Sequence, residues 1–180
     1  IVGVDFWVQS DELDGALFRL TLLAIDNKGY KNITLLISKA YLRGSVKDRA
    51  VIDKAWLVEY SQGVIILSGG KAGDLGMLLA KGSTDIASQA TQFYVQNFPD
   101  RFYLELTRTG RAGEEDYVHQ AVDWAQQFDL PVVATNEVCF VDRENFDAHE
   151  IRVAIHDGYT LNDPRRPKEY SDQQYLRTAE

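Results

Sequence analysis

Residues 63–81, GVIILSGGKAGDLGMLLAK, contain the pattern that decides the fold. The run Gly63–Leu67 is short and apolar, which predicts a buried strand, and a loop over Ser68–Gly76 leads from it into a short helix. The loop sits where phosphate-binding loops sit, between a strand and a helix, but Ala72 follows Lys71 where a P-loop requires serine or threonine. We therefore interpret it as a tight turn and assign no nucleotide to it.

Strand and helix patterns alternate on both sides of this segment. Short apolar runs predict strands over Ile1–Val8, Phe18–Ile25, Phe102–Thr107 and Leu130–Thr135. Helical spacing of apolar residues predicts helices over Asn32–Arg43, Ser83–Asn97 and Glu114–Phe128. This alternation predicts a parallel sheet covered by helices, either open or closed into a barrel. The first two strands, separated by the acidic turn Ser10–Gly15, are candidates to pair as neighbours.

Composition excludes several classes of protein. The 180 residues carry 19 Lys and Arg against 27 Asp and Glu, a net charge of -8, which is the wrong sign for a surface that grips nucleic-acid phosphates. No apolar run approaches the roughly 20 residues of a membrane-spanning helix. The single cysteine, Cys139, cannot form an internal disulfide, and we expect a cytoplasmic protein with one main domain.

The two ends of the sequence differ in character. The chain opens at Ile1 inside a strand-like apolar run, which predicts that the protein begins upstream. Near the other end, residues 162–170, NDPRRPKEY, are polar and marked by proline. We expect one domain over residues 1–160 and an exit segment over residues 161–180.

The residues that could carry chemistry are few. Asp147 and His149 form an Asp-X-His pair that could turn toward one zinc or manganese ion. The same pair could be a helix N-cap, Asp147, followed by a surface histidine. Asp5 and Cys139 lie near predicted strand ends, where active sites of α/β proteins form, but Cys139 has no neighbouring base that would make it a nucleophile.

Three arginines surround the strand FYLELT: Arg101, Arg108 and Arg111. An arginine after a strand can bind a phosphate with two hydrogen bonds. Given the acidic balance of the chain, we favour a solvated loop of salt bridges.

A family resemblance goes further than these spacings. The segments IVGVDF, NITLLISKAYLRG, GVIILSGGKAGDLG, FYLELTRTGR, LPVVATNEVCF and FDAHEIRVAIHDGYTLNDPRRP resemble the polymerase-and-histidinol-phosphatase (PHP) domain of bacterial DNA polymerase III alpha subunits, of the proteobacterial type. The resemblance covers essentially the whole chain. It implies a distorted seven-stranded β/α barrel, here incomplete at its amino terminus because the family's first metal motif, a pair of histidines, precedes Ile1.

The resemblance also implies which residues correspond to the family's metal site. Asp5, Asp147 and His149 match ligand positions, with Asp5 standing where active members commonly carry glutamate. Arg19 stands where active members have a histidine, and so does Cys139. Arginine cannot ligate a cation, although cysteine can. We therefore expect a vestigial site with no catalytic residue and no bound cofactor, and zinc or manganese only if the site is active.

The function implied by the resemblance belongs to a DNA-directed DNA polymerase, a nucleotidyltransferase of DNA replication. Its magnesium-dependent polymerase machinery and its DNA contacts lie in other domains. For a degenerate PHP segment the family implies a structural module that docks the proofreading 3′–5′ exonuclease subunit, among other holoenzyme subunits. The alternative is an active metal-dependent phosphoesterase or 3′–5′ exonuclease, and a stand-alone histidinol-phosphatase-like enzyme is a third, weaker hypothesis.

Overall fold

The computed structural model describes residues 1–9, 13–46 and 49–178, and seven strands and six helices lie within them. In chain order the elements are β1 Gly3–Gln9, β2 Leu17–Ala24, α1 Asn27–Arg43, β3 Ser45–Val46, β4 Arg49–Asp53, α2 Lys54–Glu59, β5 Val64–Leu67, α3 Asp74–Ala80, α4 Thr84–Asn97, β6 Phe102–Thr107, α5 Glu114–Phe128, β7 Val132–Thr135 and α6 Phe146–His156. The α/β class and the seven strands agree with the architecture that the sequence predicts.

Most of the predicted elements are confirmed to within a few residues, and β6 and α5 have the predicted bounds. Three elements were not predicted, β3, β4 and α2, and α6 was anticipated only as the helix that Asp147 could cap. The apolar part of β4 is only Ala50–Ile52, and α2 is six residues long, so neither contains enough residues to show a period. No helix among the described residues has both the length and the hydrophobicity needed to cross a bilayer.

The strands form one sheet in the order β3-β4-β1-β2-β5-β6-β7. Strands β1, β4, β5, β6 and β7 run in one direction, while β2 and β3 run against their neighbours. The predicted parallel arrangement therefore holds for five of the seven strands and fails for β2 and β3, and the predicted pairing of β1 with β2 is confirmed. Only residues 10–16 connect these two strands, and parallel pairing needs a crossover of about a dozen residues or more. Residues 10–12 of the predicted acidic turn lie outside the described residues.

Helix α1 begins five residues earlier than its apolar pattern predicts. Asp26 caps it, accepting a hydrogen bond from the backbone N–H of Gly29 at 2.8 Å. Gly29 lies against the backbone of Gly63, where a Cβ atom would come within 1.7 Å of the Gly63 carbonyl oxygen. This close approach brings the first turn of α1 against the residue that precedes β5.

The core forms where the helices pack on the sheet. Helix α1 packs against β2, β4 and β5, and α5 packs against β6. Inside this core, the fully buried Asp74 accepts hydrogen bonds from Tyr94 at 2.7 Å and from the backbone of Leu75 at 2.8 Å, and it lies 3.1 Å from Lys54. Asp74 is the first residue of α3, so this network fixes the end of the loop over Ser68–Gly76, which is a turn that leads into a helix.

Candidate functional site

A cleft of about 440 Å³ opens at the sheet edge where β5, β6 and β7 end. Its walls are the loops that follow these three strands, the first turn of α5, one residue of β2, and Lys168 and Glu169 from the C-terminal segment. The charged side chains that line it include Arg19, Lys71, Arg111, Glu114, Glu137 and Lys168. Ligand sites of α/β proteins lie at this edge, so the cleft is the candidate functional site.

Arg19 reaches this edge because β2 runs against its neighbours. In the register of β2 with β5, Thr21 lies opposite Leu67, the last residue of β5. Arg19 is two residues earlier in β2 and therefore lies beyond the end of β5. Its backbone carbonyl lies so close to Gly69 that a Cβ atom there would come within 2.0 Å of it. The antiparallel strand thus places an arginine at the carboxyl edge of the parallel ones.

Four charged side chains form a continuous chain of ion pairs in this cleft. Nη1 of Arg19 donates to Oε1 of Glu137 at 2.7 Å, and Nη2 of Arg111 donates to the other carboxylate oxygen of Glu137. Arg111 also donates through Nε to Oε1 of Glu114 at 2.8 Å. Burial acts to lower the pKa of Arg19, but the charge and hydrogen bond of Glu137 outweigh it and raise that pKa. Both arginines therefore stay cationic.

Glu137 occupies an unusual backbone conformation. Its φ angle is 41°, in the left-handed region that residues other than glycine rarely adopt. Such a conformation persists where the surrounding structure holds it, and here Arg19 and Arg111 bind one carboxylate oxygen each. The two arginines thus use the whole carboxylate of Glu137.

Glu114 anchors the other end of the chain. Its carboxylate accepts hydrogen bonds from the backbone N–H and the hydroxyl of Thr109 at 2.6 and 2.7 Å, as well as from Arg111. Burial acts to raise the pKa of Glu114, but these hydrogen bonds from Thr109 and Arg111 lower it on balance. The loop after β6 is therefore tied to the first residue of α5.

A second polar group lies deeper, between β6 and β7. The hydroxyl of Thr135 donates to Oε1 of Glu105 at 2.6 Å and lies 3.1 Å from the hydroxyl of Thr107. The other oxygen of Glu105 is buried with no hydrogen-bond partner among the described residues. This free oxygen of Glu105 could supply at most one ligand to a metal ion.

The three arginines around β6 form salt bridges or backbone contacts. Arg108 pairs with Glu115 through two hydrogen bonds of 2.5 and 2.7 Å, and Arg101 donates to the carbonyl of Ser61 at 2.5 Å. The interpretation as a solvated, salt-bridged loop is confirmed for Arg108. Arg111 also forms salt bridges, but it is half-buried in the cleft.

Asp5 and Cys139 both lie near this edge, in different surroundings. Asp5 is exposed on β1 and accepts a hydrogen bond from Thr21, its cross-strand partner. Cys139 is half-buried after β7, and its backbone N–H donates to the carbonyl of Gln174 at 2.8 Å. Burial raises the pKa of the Cys139 thiol, and the nearby charge of Glu137 adds to the rise. The thiol is therefore less reactive as a nucleophile than an ordinary cysteine.

Asp147 and His149 lie on the first turns of α6 and have different environments. The N-cap of α6 is Asn145 and not Asp147, which is exposed, and His149 is buried. The interpretation of the pair as an N-cap followed by a surface histidine is therefore wrong. The His149 ring meets the edge of Tyr170 at 4.5 Å, and its Nδ1 lies 3.2 Å from Arg152. Burial and the charge of Arg152 lower the pKa of His149. Its Nε2 is buried with no partner among the described residues.

These side chains do not assemble into a metal-binding arrangement. Within the part of the chain that the structure describes, no three His, Cys, Asp or Glu side chains are placed to hold one ion. The cleft contains the guanidinium groups of Arg19 and Arg111 instead, and these repel a cation. The residues present therefore do not fit a metal cluster. That Asp5, Asp147 and His149 are remnants of one stays a prediction.

The predicted exit segment, as far as residue 178, packs back onto the sheet edge; residues 179 and 180 lie outside the described residues. The side-chain amide of Asn136 donates to the carbonyls of Gln173 and Tyr175 at 3.0 and 2.7 Å. Gln174 is fully buried beside Cys139. Arg166 forms a buried ion pair with Glu150 of α6 at 2.7 Å. The segment thus covers one side of the candidate site.

Sequence reasoning missed the three carboxylates that organise the site: Glu105, Glu114 and Glu137. Glu105 is one of the alternating residues of β6, and Glu137 follows β7 by two residues, where a polar site residue is expected. No motif distinguishes either from an ordinary surface glutamate. Only the side chains that they contact distinguish them, and these contacts come from distant parts of the sequence: 118 residues separate Glu137 from Arg19.

Comparison with known proteins gives a consistent result. The sequence profile of the PHP domain family matches residues 1–109. DNA polymerase III subunit alpha of Vibrio cholerae is 63% identical over 178 residues, 99% of this chain and 15% of the relative. The subunits of the same name from Escherichia coli K12 and Pseudomonas aeruginosa are 56% identical over 180 residues and 45% identical over 178 residues, which are 16% and 15% of those relatives. The chain thus spans about one-sixth of the length of the proteins that it matches.

Proposed function

Because this chain belongs to the PHP domain family, we propose that it is the PHP segment of the alpha subunit of a bacterial replicative DNA polymerase, and that it is a noncatalytic structural module there. The polymerase activity, a DNA-directed nucleotidyl transfer, is carried over from the names of the relatives. The same proposal makes this module a docking point for the proofreading 3′–5′ exonuclease subunit and places the protein in the cytoplasm.

The chain of ion pairs from Arg19 to Glu114 carries the noncatalytic part of the proposal. Metal-assisted hydrolysis of a phosphate ester needs ligands that hold a cation and leave positions open for water and substrate. In this cleft, both oxygens of Glu137 are bound to arginines, and the oxygens of Glu114 are bound to Thr109 and Arg111. The guanidinium groups supply the positive charge, and they cannot activate a water molecule as a metal ion does.

The docking part of the proposal is supported by charge. With a net charge of -8, the chain complements a partner that presents a basic surface.

The experiment that tests the noncatalytic role measures metal content. The full-length protein is purified after growth with added manganese and zinc, and its metals are counted by elemental mass spectrometry. We expect well under one equivalent bound per chain, and no phosphodiesterase activity on DNA 3′ ends. Two or three equivalents together with such activity would establish the alternative, an active metal-dependent phosphoesterase.

A second measurement tests docking. Purified exonuclease subunit is mixed with the full-length protein and with a version that lacks the 180 residues described here. We expect a stable complex on size-exclusion chromatography only with the first. Equal binding by both would contradict docking through this module.

A further inference from the structure

Helix α1 has a charge that sets it apart from the rest of the chain. Its 17 residues contain four of the chain's 19 Lys and Arg residues and none of its 27 Asp and Glu residues. The remainder of the protein is therefore more acidic than the net charge of -8 indicates. Such segregation of charge concentrates a positive field on one element of an acidic surface.

Two leucines lie exposed among these cations. Leu35 is 51% exposed and Leu42 is 82% exposed, although both are large apolar residues on a well-formed helix. They are seven residues apart, so they lie two turns apart on the same face. Lys28 and Lys31 precede them on this face, and both are exposed. The buried face of α1, which includes Ile33, Leu36 and Ala40, is a separate stripe. We call the exposed one the Lys-Leu face.

The Lys-Leu face borders a groove. A depression of about 290 Å³ lies between α1 and the end of α2, and its lining consists of Leu35, Lys39, Leu42, Arg43, Glu59 and Tyr60. Lys39 is held in place in this groove. Its Nζ atom donates to Glu59 at 2.7 Å and lies 4.5 Å from the centre of the Trp56 ring. Arg43, by contrast, is exposed at the end of α1.

From these observations we infer that the Lys-Leu face is a docking site for an acidic amphipathic helix of a partner protein. Two leucines that lie seven residues apart fit a partner helix that presents apolar anchors at the same spacing, as in helix-in-groove recognition. The cations Lys28, Lys31 and Arg43 beside them fit carboxylates that flank those anchors. This inference goes beyond the proposed function, which names no docking surface, and it does not depend on the polymerase role.

The size of the positive patch favours a peptide segment over nucleic acid or a membrane. Charge is screened within about 8–10 Å at physiological salt, so a short segment lying on α1 meets mainly the helix's own field. A DNA duplex or an anionic bilayer extends further and also meets the acidic remainder of the chain, which repels it. Exposed leucines also bury well against apolar side chains, whereas single-stranded nucleic acid is bound through aromatic stacking.

The test uses a phage-displayed library of random 16-residue peptides, selected on the full-length protein. The selected pool is then compared for binding to the Leu35→Ser/Leu42→Ser variant. The matched control is Ile86→Ser/Val95→Ser, which removes two exposed apolar side chains from α4. We expect a class of peptides that loses about tenfold or more in affinity with the α1 variant only, as hot-spot anchors do. These peptides should be acidic, with apolar residues three, four or seven positions apart.

A charge variant supplies an independent measurement. Lys31→Glu/Arg43→Glu should weaken the best selected peptide about tenfold, and raising the salt should weaken its binding to the unsubstituted protein. Selected peptides that do not depend on α1, or α1-dependent peptides without an acidic excess, would overturn the inference. So would tighter α1-dependent binding of a labelled single-stranded oligonucleotide or of phosphatidylglycerol vesicles.

Discussion

Replacing Glu137 by glutamine should destabilise the fold through the ion-pair chain alone, because the change keeps the size of the side chain. Glu137 receives one charged hydrogen bond from Arg19 and another from Arg111. These three side chains are 27%, 24% and 27% exposed, so solvent screens them only in part. A hydrogen bond to a charged group contributes about 1.5–3 kcal/mol. Glutamine keeps one acceptor and places an amide N–H₂ group against the other guanidinium, so we expect a loss of about 2–4 kcal/mol.

The matched control for this substitution is Glu115→Gln. Glu115 also makes two hydrogen bonds to an arginine, Arg108, but these side chains are 52% and 73% exposed. Ion pairs as exposed as this one contribute little to stability, because solvent screens the two charges. The two variants therefore have the same chemical change and hydrogen-bond count, and they differ in burial.

Urea unfolding of the 180-residue chain, followed by tryptophan fluorescence, measures both variants. A double-mutant cycle with Arg19→Gln should give a coupling free energy of about 1–3 kcal/mol between Arg19 and Glu137. Equal losses for Glu137→Gln and Glu115→Gln, or a stabilising effect of Glu137→Gln, would refute the view that the chain of ion pairs holds this edge together.

Three further predictions follow from the same site. The pKa of Glu114 is lowered in the folded state, so its contribution to stability is present above the ordinary glutamate pKa and is lost as the pH falls through the lowered value. The urea midpoint of the protein should therefore fall between about pH 5 and pH 3, and Glu114→Gln should make that fall less steep. An unchanged slope would contradict this prediction. Because burial raises the pKa of Cys139, iodoacetamide should alkylate it more slowly at pH 7.5 than a cysteine in an unfolded peptide, and urea should remove the difference; equal rates in the native protein count against the prediction. Finally, the double variant Arg19→His/Cys139→His should raise the manganese or zinc occupancy of the full-length protein, measured by elemental mass spectrometry. If the occupancy does not rise, the absence of histidine at these two positions is not the reason that the residues do not fit a metal cluster.

The candidate site could be predicted from the sequence only in outline. The edge where it forms follows from the strand and helix pattern, and the resemblance to the PHP family drew attention to Arg19 and Cys139 at ligand positions. The salt-bridged character of the arginines after β6 was also predicted. The residues with which these arginines pair were not predicted, because a contact such as that between Arg19 and Glu137 joins distant parts of the chain and no local spacing encodes it.

Local sequence patterns did not predict the burial of one histidine or the direction of one strand. The burial of His149 depends on Phe140 and Tyr170, which come from segments on either side of it, so the helix that carries it gave no sign that its ring is enclosed. The reversed direction of β2 was available in principle, since its connection to β1 is short. The alternation of strands and helices, by contrast, carries no information on the direction of a single strand.

By itself, the sequence determined most of the longer elements and the family of this protein, because hydrophobic period and long segment matches are properties of neighbouring residues. It also determined the composition of α1, whose cations and leucines are visible in the printed chain. Only the tertiary structure decided that Leu35 and Leu42 stay exposed, and that Arg19, Arg111, Glu114 and Glu137 meet in one cleft. The physical reason is that exposure and ion pairing depend on which surfaces the sheet brings together, and the strand order β3-β4-β1-β2-β5-β6-β7 is not written in any single stretch of sequence.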